Sequence, residues 1–510
     1  MAKLGALCEL GGERNQEKMP TTIKIDPVTR IEGHMAIEAV VDNGVVKDAR
    51  SVGTLFRGIE IILQGRDPRD ANILTQRICG VCPIAHATAS AFCLDNAFGL
   101  DNKIPDNVRL MRALIFGSNY LQSHILHFYH LAALDYVDAV GVLGELYPFV
   151  PRYEGDFRIS GKTNSDLVNH YVMALDIRRK CHEMLSIFGG KMPHIVGIVA
   201  GGVTEKLTED KITNLLSRLN EIRQFIDTTY IPDVIAVAKA YSDYFEIGQG
   251  CRRTLSYGGF DVPTGKLFKA GVVSPALQFE PFAKENITEE VKHSWYADSS
   301  KDPAQSETQP DVKKKDAYSF LKSPRYKGEV CEVGPLARMV NNYVQKDART
   351  KGLVDSLLGQ LGARVDVLFS VLGRHAARAL EAKLVAETMV DWLQALRPGE
   401  PTIVDSEIPL ESTGAGLTEA PRGAVGHWIS IKDKKIHRYQ VISPTTWNAS
   451  PKDDKGQPGA VEQAIIGTKI KDKDNPFELV RIIRSFDPCL ACSVQLLDAR
   501  GMELGTFEVI

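Results

Sequence analysis

The sequence predicts a mainly α fold with small β elements (α+β): a core bundle of long helices, a β hairpin near the N-terminus and short strands near the C-terminus. Three observations carry this expectation. Residues 22–53, TIKIDPVTRIEGHMAIEAVVDNGVVKDARSVG, alternate with the period of two that marks half-buried strands. Through the middle of the chain apolar residues recur at helical spacing, as Ile212, Leu215, Leu216, Leu219, Ile222 and Phe225 do. After Thr402 the pattern returns to short strands and turns, including WISIKDKKIHRYQVISP.

Taken in order, Asp42-Asn43-Gly44 joins two Val/Ile-rich runs as a hairpin turn. A helical stretch follows from about Leu55 to Gly65. A long helix is expected from Asp106, as its N-cap, to about Tyr136, and another over 165–188. The periodic stretch after Thr208 is expected to kink or end at Pro232. A fourth long helix runs from about Leu353 to Leu396 and stops before Pro398-Gly399. The apolar stripes of these helices form one bundle core. Residues 297–316 and 451–459 are polar, proline-containing surface loops. The organisation is a single domain over 21–495, preceded by a flexible segment, 1–20, and followed by a tail, 496–510.

The 510 residues, 44% hydrophobic and 25% charged, have the composition of a soluble globular protein. A net charge of −3 gives no electrostatic case for nucleic acid or an anionic membrane surface. No run of about 18 apolar residues is present, so no transmembrane helix is expected. The N-terminal segment lacks the features of a signal peptide. Nine cysteines, at 8, 79, 82, 93, 181, 251, 331, 489 and 492, do not form a disulfide framework. Those at 93, 181, 251 and 331 are isolated structural thiols. Cys8 follows Leu4-Gly-Ala-Leu7, faintly like a lipoprotein box; a disordered N-terminal thiol is the competing reading.

The remaining cysteines form two Cys-x-x-Cys pairs at opposite ends of the chain, Cys79/Cys82 and Cys489/Cys492. One such pair is half of a zinc site, a redox dithiol or a coincidence. Two pairs brought together by folding make a four-thiolate site for a soft metal. The flanks sharpen this. Arg77-Ile-Cys79-Gly-Val-Cys82-Pro-Ile-Ala-His86 and Asp487-Pro-Cys489-Leu-Ala-Cys492 resemble the large subunit of a nickel–iron hydrogenase. Arg30-Ile-Glu32-Gly-His34, Phe56-Arg57-Gly58-Ile-Glu60, His127-Phe-Tyr-His130, Ala420-Pro421-Arg422-Gly423 and Pro444-Thr-Thr-Trp447-Asn448 extend the likeness, in the family's order, over nearly the whole chain.

The resemblance implies reversible heterolytic cleavage of dihydrogen at a thiolate-bound nickel–iron centre whose iron carries carbon monoxide and two cyanides. It makes Cys79 and Cys489 terminal nickel ligands, and Cys82 and Cys492 bridges to iron. Glu32 accepts the proton from the terminal ligand. Arg422, paired with Asp487, donates to one cyanide from the Pro421–Arg422 segment, and Thr445 contacts the other. His86 donates to a bridging sulfur. Glu60, the Val441 carbonyl and the residue at 495 hold a third site for magnesium or iron. Partners implied are an iron–sulfur small subunit, nickel-insertion proteins, a maturation protease and a periplasmic cytochrome c. Export with the small subunit makes the protein periplasmic, with lipid on Cys8 as a possible membrane attachment.

Three departures from the family pattern stand out. Gln495 occupies the place of the family's terminal histidine, and an amide oxygen suits a hard cation. Leu496–Ile510 is a propeptide-like tail. Ser123 replaces an aspartate that many members carry, which resembles the nickel–iron–selenium subclass, where position 489 is selenocysteine. Rival readings are a structural zinc–thiolate scaffold, a hydrogen-sensing regulatory hydrogenase and a quinone-linked respiratory relative. The last lacks the cysteine set.

Overall fold

The computed structural model describes residues 20–146, 149 and 155–493. Three antiparallel strands open it, β1 (Thr21–Ile25), β2 (Met35–Asp42) and β3 (Val45–Gly53). The β2–β3 turn is the expected one. Asn43 and Gly44 take positive φ, 50° and 74°, the mirror-image turn that matches strand twist.

Helix α1 (Pro83–Ala97) was not foreseen in the sequence. Nearly every residue of it is buried, so it has no polar face and no amphipathic stripe to detect. The expected helix at 55–65 is only Ile59–Leu63. In α2 (Asp106–Leu126) the N-cap is Pro105, with ψ 152°; Asp106 is the first helical residue and complements the helix dipole. α2 also stops short of Tyr136, because a wider turn over His127–Ala132 interrupts it.

Three further helices follow: α3 (Gly161–Gly189), α4 (Glu209–Phe225) and α5 (Ile231–Ala240). Thr208 caps α4 by accepting from the Lys211 N–H at 3.4 Å. Pro232 starts α5 rather than ending a helix, since its missing N–H falls in a first turn where none is needed. After α6 (Pro335–Val344), the single helix expected over 353–396 is two, α7 (Ala348–Leu361) and α8 (Val371–Ala395). Gly362, at φ 60°, closes α7 in the left-handed region, and the Ser370 hydroxyl caps α8. Helix α2 packs between α3 and α8, and one continuous apolar core runs through the bundle.

The C-terminal sheet is an antiparallel meander of β4 (Glu411–Ala420), β5 (Gly423–Lys432) and β6 (Lys435–Ile442). Helix α1 lies directly on it, which requires glycine on β4. A Cβ at Gly416 would sit 2.1 Å from the Ala89 carbonyl oxygen, and one at Gly414 2.4 Å from that of Cys93. Short helices α9 (Pro444–Asn448) and α10 (Ala460–Ile465), then α11 (Phe477–Ser485), bring the chain back to the core.

Small strand pairings between Thr254 and Tyr326 were also unforeseen. The two surface loops are only partly so. Thr308 is buried and bonds Glu60, and Asp453 pairs with the buried Arg325 at 2.8 Å. Cys93, Cys181 and Cys331 are buried and Cys251 is half-buried; burial raises all four thiols, Cys251 to about 11. Cys8 and the tail lie outside the described residues.

Two outcomes follow from this packing. Gly416→Val forces α1 off the sheet and lowers unfolding stability by about 1–3 kcal/mol or more in denaturant titration. Glu462 on α10 accepts from the Ser51 and Gly459 N–H groups and the Tyr318 hydroxyl, at 2.9, 3.0 and 2.8 Å. Burial raises its carboxyl from 4.5 to about 7. The folded state therefore binds a proton that the unfolded chain has released, and stability falls as pH rises from about 4.5 to 7. Glu462→Gln flattens that part of the stability–pH curve.

Candidate metal centre

The first thiol pair is set by a tight turn. Cys79 is extended after the Gln76–Ile78 turn, and Cys82 is the residue immediately before α1. The Val81 and Cys82 N–H groups point at Cys79 Sγ, 3.3 and 3.4 Å away, which favours the thiolate. The second pair follows α11. Asp487 turns the chain in the left-handed region, at φ 55°, an excursion that Asp tolerates better than most residues. Pro488–Leu490 then runs parallel to Glu32. The Glu32 N–H donates to Pro488 O at 3.2 Å, and the Leu490 N–H to Glu32 O at 2.8 Å. Gly33, at φ 80°, permits the approach, because a Cβ there would lie 2.7 Å from Ala491 N.

Arg57 staples the two pairs together. Its guanidinium donates to the carbonyls of Arg77, at 3.0 Å, Ile78 and Ala491. The sulfurs of Cys79, Cys82 and Cys489 consequently lie within 4.8 Å of one another, all buried, with Cys79 and Cys489 3.2 Å apart. A compact, buried set of soft sulfur donors suits nickel or iron better than magnesium, which prefers hard oxygen donors. The Cys492 side chain and Gln495 lie outside the described residues.

The surrounding side chains converge on Cys489. Its thiol donates to Glu32 Oε2 at 3.1 Å, and the Ala491 N–H donates to the same oxygen at 2.9 Å. Burial, then the negative charge of Cys79, raises the Glu32 carboxyl from 4.5 to about 6. The Cys489 N–H donates to the Thr445 hydroxyl at 2.9 Å. Arg422, 2% exposed, donates through Nη2 to Asp487 Oδ1 at 2.9 Å and through Nε to Asp487 O at 3.0 Å. Its Nη1 is 3.4 Å from Ser123 Oγ. Asp487 and the three cysteines hold its guanidinium well above the ordinary range.

Arg422 and Pro421 form the tip of the β4–β5 hairpin, where Ala420 pairs with Gly423. Arg338 on α6, fully buried, fixes that tip. It donates to the Ala420 and Pro421 carbonyls at 2.8 Å each and pairs with Glu381 and Glu419 at 2.6 and 2.8 Å. His124 Nε2 is 2.8 Å from Glu381 Oε1. Sequence reasoning missed Arg338, Glu381 and Glu419. They sit on three separate elements, and no local spacing links them. His86, one turn into α1, is 1% exposed, and its Nδ1 is 3.1 Å from His427 Nε2. His427 was missed as well.

Glu60, 3% exposed, accepts from the Val441 N–H at 2.8 Å and from the Thr308 hydroxyl. Lys322 sits behind them, 3.1 Å from Thr308 Oγ1 and 3.0 Å from Glu289 Oε2. The contact between Glu60 and Val441 thus runs through the amide of Val441.

Comparison with known proteins agrees with this geometry. The profile of the nickel-dependent hydrogenase family matches residues 57–145 and 142–495, and a HoxL-like profile matches 22–52. The periplasmic NiFeSe hydrogenase large subunit of Desulfomicrobium baculatum is 45% identical, over 94% of this chain and 96% of its own length. The uptake hydrogenase large subunit of Rhizobium leguminosarum bv. viciae is 36% identical, over 96% of this chain and 97% of its own. Among solved structures, the Ni-Fe-Se hydrogenase of D. vulgaris Hildenborough in the reduced state superposes with a TM-score of 0.86. It is 45% identical and covers 93% of this chain and 100% of its own. The reduced, active form from Desulfomicrobium baculatum also gives 0.86, at 46% identity and the same coverage.

The staple yields a direct test. Charge-assisted bonds of this kind contribute about 1.5–3 kcal/mol each. Arg57→Ala therefore loses bound metal to a chelator about tenfold faster or more, read by elemental analysis, while the far-UV circular dichroism spectrum stays unchanged.

Proposed function

We propose a reaction for this chain from one premise: it belongs to the nickel-dependent hydrogenase family, as a large catalytic subunit of the nickel–iron–selenium type. Its activity is that of a hydrogenase, redox chemistry on dihydrogen at a buried cysteine metal cluster. In this reading Cys79, Cys82, Cys489 and Cys492 hold nickel and an iron that carries carbon monoxide and two cyanides. When bound, that centre supplies the Lewis acidity and redox capacity that polarise dihydrogen and take up its electron pair.

The chain's own residues do the rest. Cys489 Sγ takes the proton and passes it to Glu32 over the 3.1 Å contact, within the reach that general-base transfer requires. A carboxyl near 6 receives that proton and releases it again without a deep trap. Arg422 offsets the thiolate charge, and it and Pro421 are the residues that would hold the diatomic ligands. Asp487 holds the Arg422 guanidinium from both its side chain and its carbonyl. Thr445 fixes the main chain at Cys489 and keeps its hydroxyl proton for a cyanide.

Glu60, Val441 and Gln495 are the proposed holders of a third cation, magnesium or iron. The other described cysteines are buried or half-buried thiols outside the 79–82–489 cluster, so electrons leave through an iron–sulfur small subunit. Residence in the periplasm, a cytochrome c acceptor, lipid on Cys8, removal of the 496–510 tail by a maturation protease after nickel insertion, and selenium in place of sulfur at 489 belong to the same reading. The observation that carries it is the convergence of three buried sulfurs with Glu32 on Cys489. A zinc scaffold has no use for a carboxyl hydrogen-bonded to a metal-binding thiol.

Elemental analysis of the heterodimer is expected to return nickel near one, with iron in excess of it from this centre and the small subunit's clusters, and with carbonyl and cyanide stretches in the infrared; zinc in place of nickel, without those stretches, overturns the reading. Glu32→Gln still accepts the Ala491 N–H but cannot take a proton. Its dihydrogen–deuteron exchange rate is expected to drop by about 10²–10⁴-fold with the metals retained.

A further inference from the structure

Glu32 and Cys489 both lie in loops. Glu32 falls between β1, which ends at Ile25, and β2, which starts at Met35, and Cys489 follows the end of α11 at Ser485. Proton transfer needs a donor–acceptor distance of about 2.6–3.2 Å, and two loops joined by a pair of main-chain bonds do not by themselves guarantee it. A third element holds both loops. It is the chain that leaves α2: the wide turn over His127–Ala132 and the tighter turn Ala133–Asp135 that follows it.

Asp135, fully buried, receives one arginine from each loop on a single oxygen. Arg30 Nη2 and Arg484 Nη1 both donate to its Oδ1. Arg30 stands two residues before Glu32, and Arg484 five before Cys489. Arg30 Nη1 also donates to Leu131 O at 3.1 Å. Arg481, one turn before Arg484, donates to the Asp135 carbonyl at 2.5 Å. Burial works to raise the Asp135 carboxyl, but the charges of Arg30, Arg484 and Arg481 hold it below the ordinary range, so it stays ionised.

Arg484 is the member that touches both loops directly. Its Nε donates to Thr29 O at 3.1 Å and its Nη2 to the Thr29 hydroxyl at 3.0 Å. Its carbonyl accepts the Asp487 N–H at 3.0 Å and His127 Nε2–H at 2.6 Å. The side chain thus grips the Glu32 loop, the main chain grips the Cys489 segment, and the turn after α2 fixes each end. Arg30 adopts φ 55°, in the left-handed region that a non-glycine residue occupies where its surroundings hold it there. The interruption of α2 has its reason here, because it puts His127, the Leu131 carbonyl and Asp135 against the two loops. Wide turns of this kind inside helices collect at functional sites.

We propose that Asp135, Arg30 and Arg484 are positioning residues for the proton transfer, a buried clamp that holds the Glu32 carboxyl at transfer distance from the Cys489 sulfur. This rests on the reading that Cys489 passes its proton to Glu32.

The test is the dihydrogen–deuteron exchange rate per nickel of the assembled heterodimer, read beside its carbonyl and cyanide bands. Asp135→Asn removes the shared charge with little change of shape. It is expected to keep the bands at their wild-type positions and to lose about tenfold or more in exchange per nickel, since a misplacement of about 1 Å can cost about 10²-fold. Thr29→Val, at an exposed position, removes one of the two bonds from Arg484 and is expected to lose about twofold or more. Lower thermal stability with exchange per nickel at the wild-type rate in both variants overturns the inference, since the clamp then serves the fold alone; the functional reading stands in that case. Should Asp135→Asn fail to take up metal, Thr29→Val decides: a rate below wild type with unmoved bands supports the clamp, and a wild-type rate overturns it. Full exchange in Glu32→Gln overturns the functional reading and the inference with it.

Discussion

Two main-chain hydrogen bonds, from Glu32 N–H to Pro488 O and from Leu490 N–H to Glu32 O, join segments from opposite ends of the sequence. Everything at the centre depends on them. They set Cys489 beside the turn that carries Cys79 and Cys82, and they place the Glu32 carboxyl against the Cys489 sulfur. Their geometry leaves no room for a side chain at position 33, so Gly33 serves the close approach and its positive φ together. The helical bundle between the two segments is, in this respect, the scaffold that makes the bridge form in one register.

Electrostatics supplies the second layer. Several buried sulfurs that turn anionic on binding metal require a buried counter-charge, and Arg422 provides it. A lone guanidinium in that position would be costly, and Asp487 shares the burden. The hairpin tip that carries Arg422 is held in turn by Arg338, compensated by Glu381 and Glu419. The centre is thus backed by an ion pair facing the sulfurs and a three-residue ion cluster facing the scaffold. Partial satisfaction of such a network costs more than an apolar core would, which explains why so many polar groups here have main-chain partners as well.

Legibility from sequence followed the range of the interaction. The Asp42-Asn43-Gly44 hairpin was legible because turn chemistry and alternation lie within a dozen residues. Helix lengths were less so: the breaks at His127–Ala132 and at Gly362 sit inside apolar runs whose periodicity continues across them. Helix α1 left no periodic signal, since it is buried on every side. At the centre, Cys79, Cys82, Cys489, Glu32 and Arg422 were legible through the motifs that carry them. Arg338 and His427 were not, because a buried arginine or histidine is distinguished only by what packs against it.

The sequence by itself determined the chemistry available to this protein: two thiol pairs, a carboxyl and an arginine in motifs whose order and flanks define the family. It also determined the local turns that present each group. Only the tertiary structure decided that Cys79, Cys82, Cys489 and Glu32 meet, which oxygen of Glu32 faces sulfur, and what stands behind His86 and Arg422. The physical reason is that hydrogen bonds and ion pairs between distant segments depend on distances of a few tenths of an ångström. Such distances are set by packing of the whole core, to which no stretch of sequence refers.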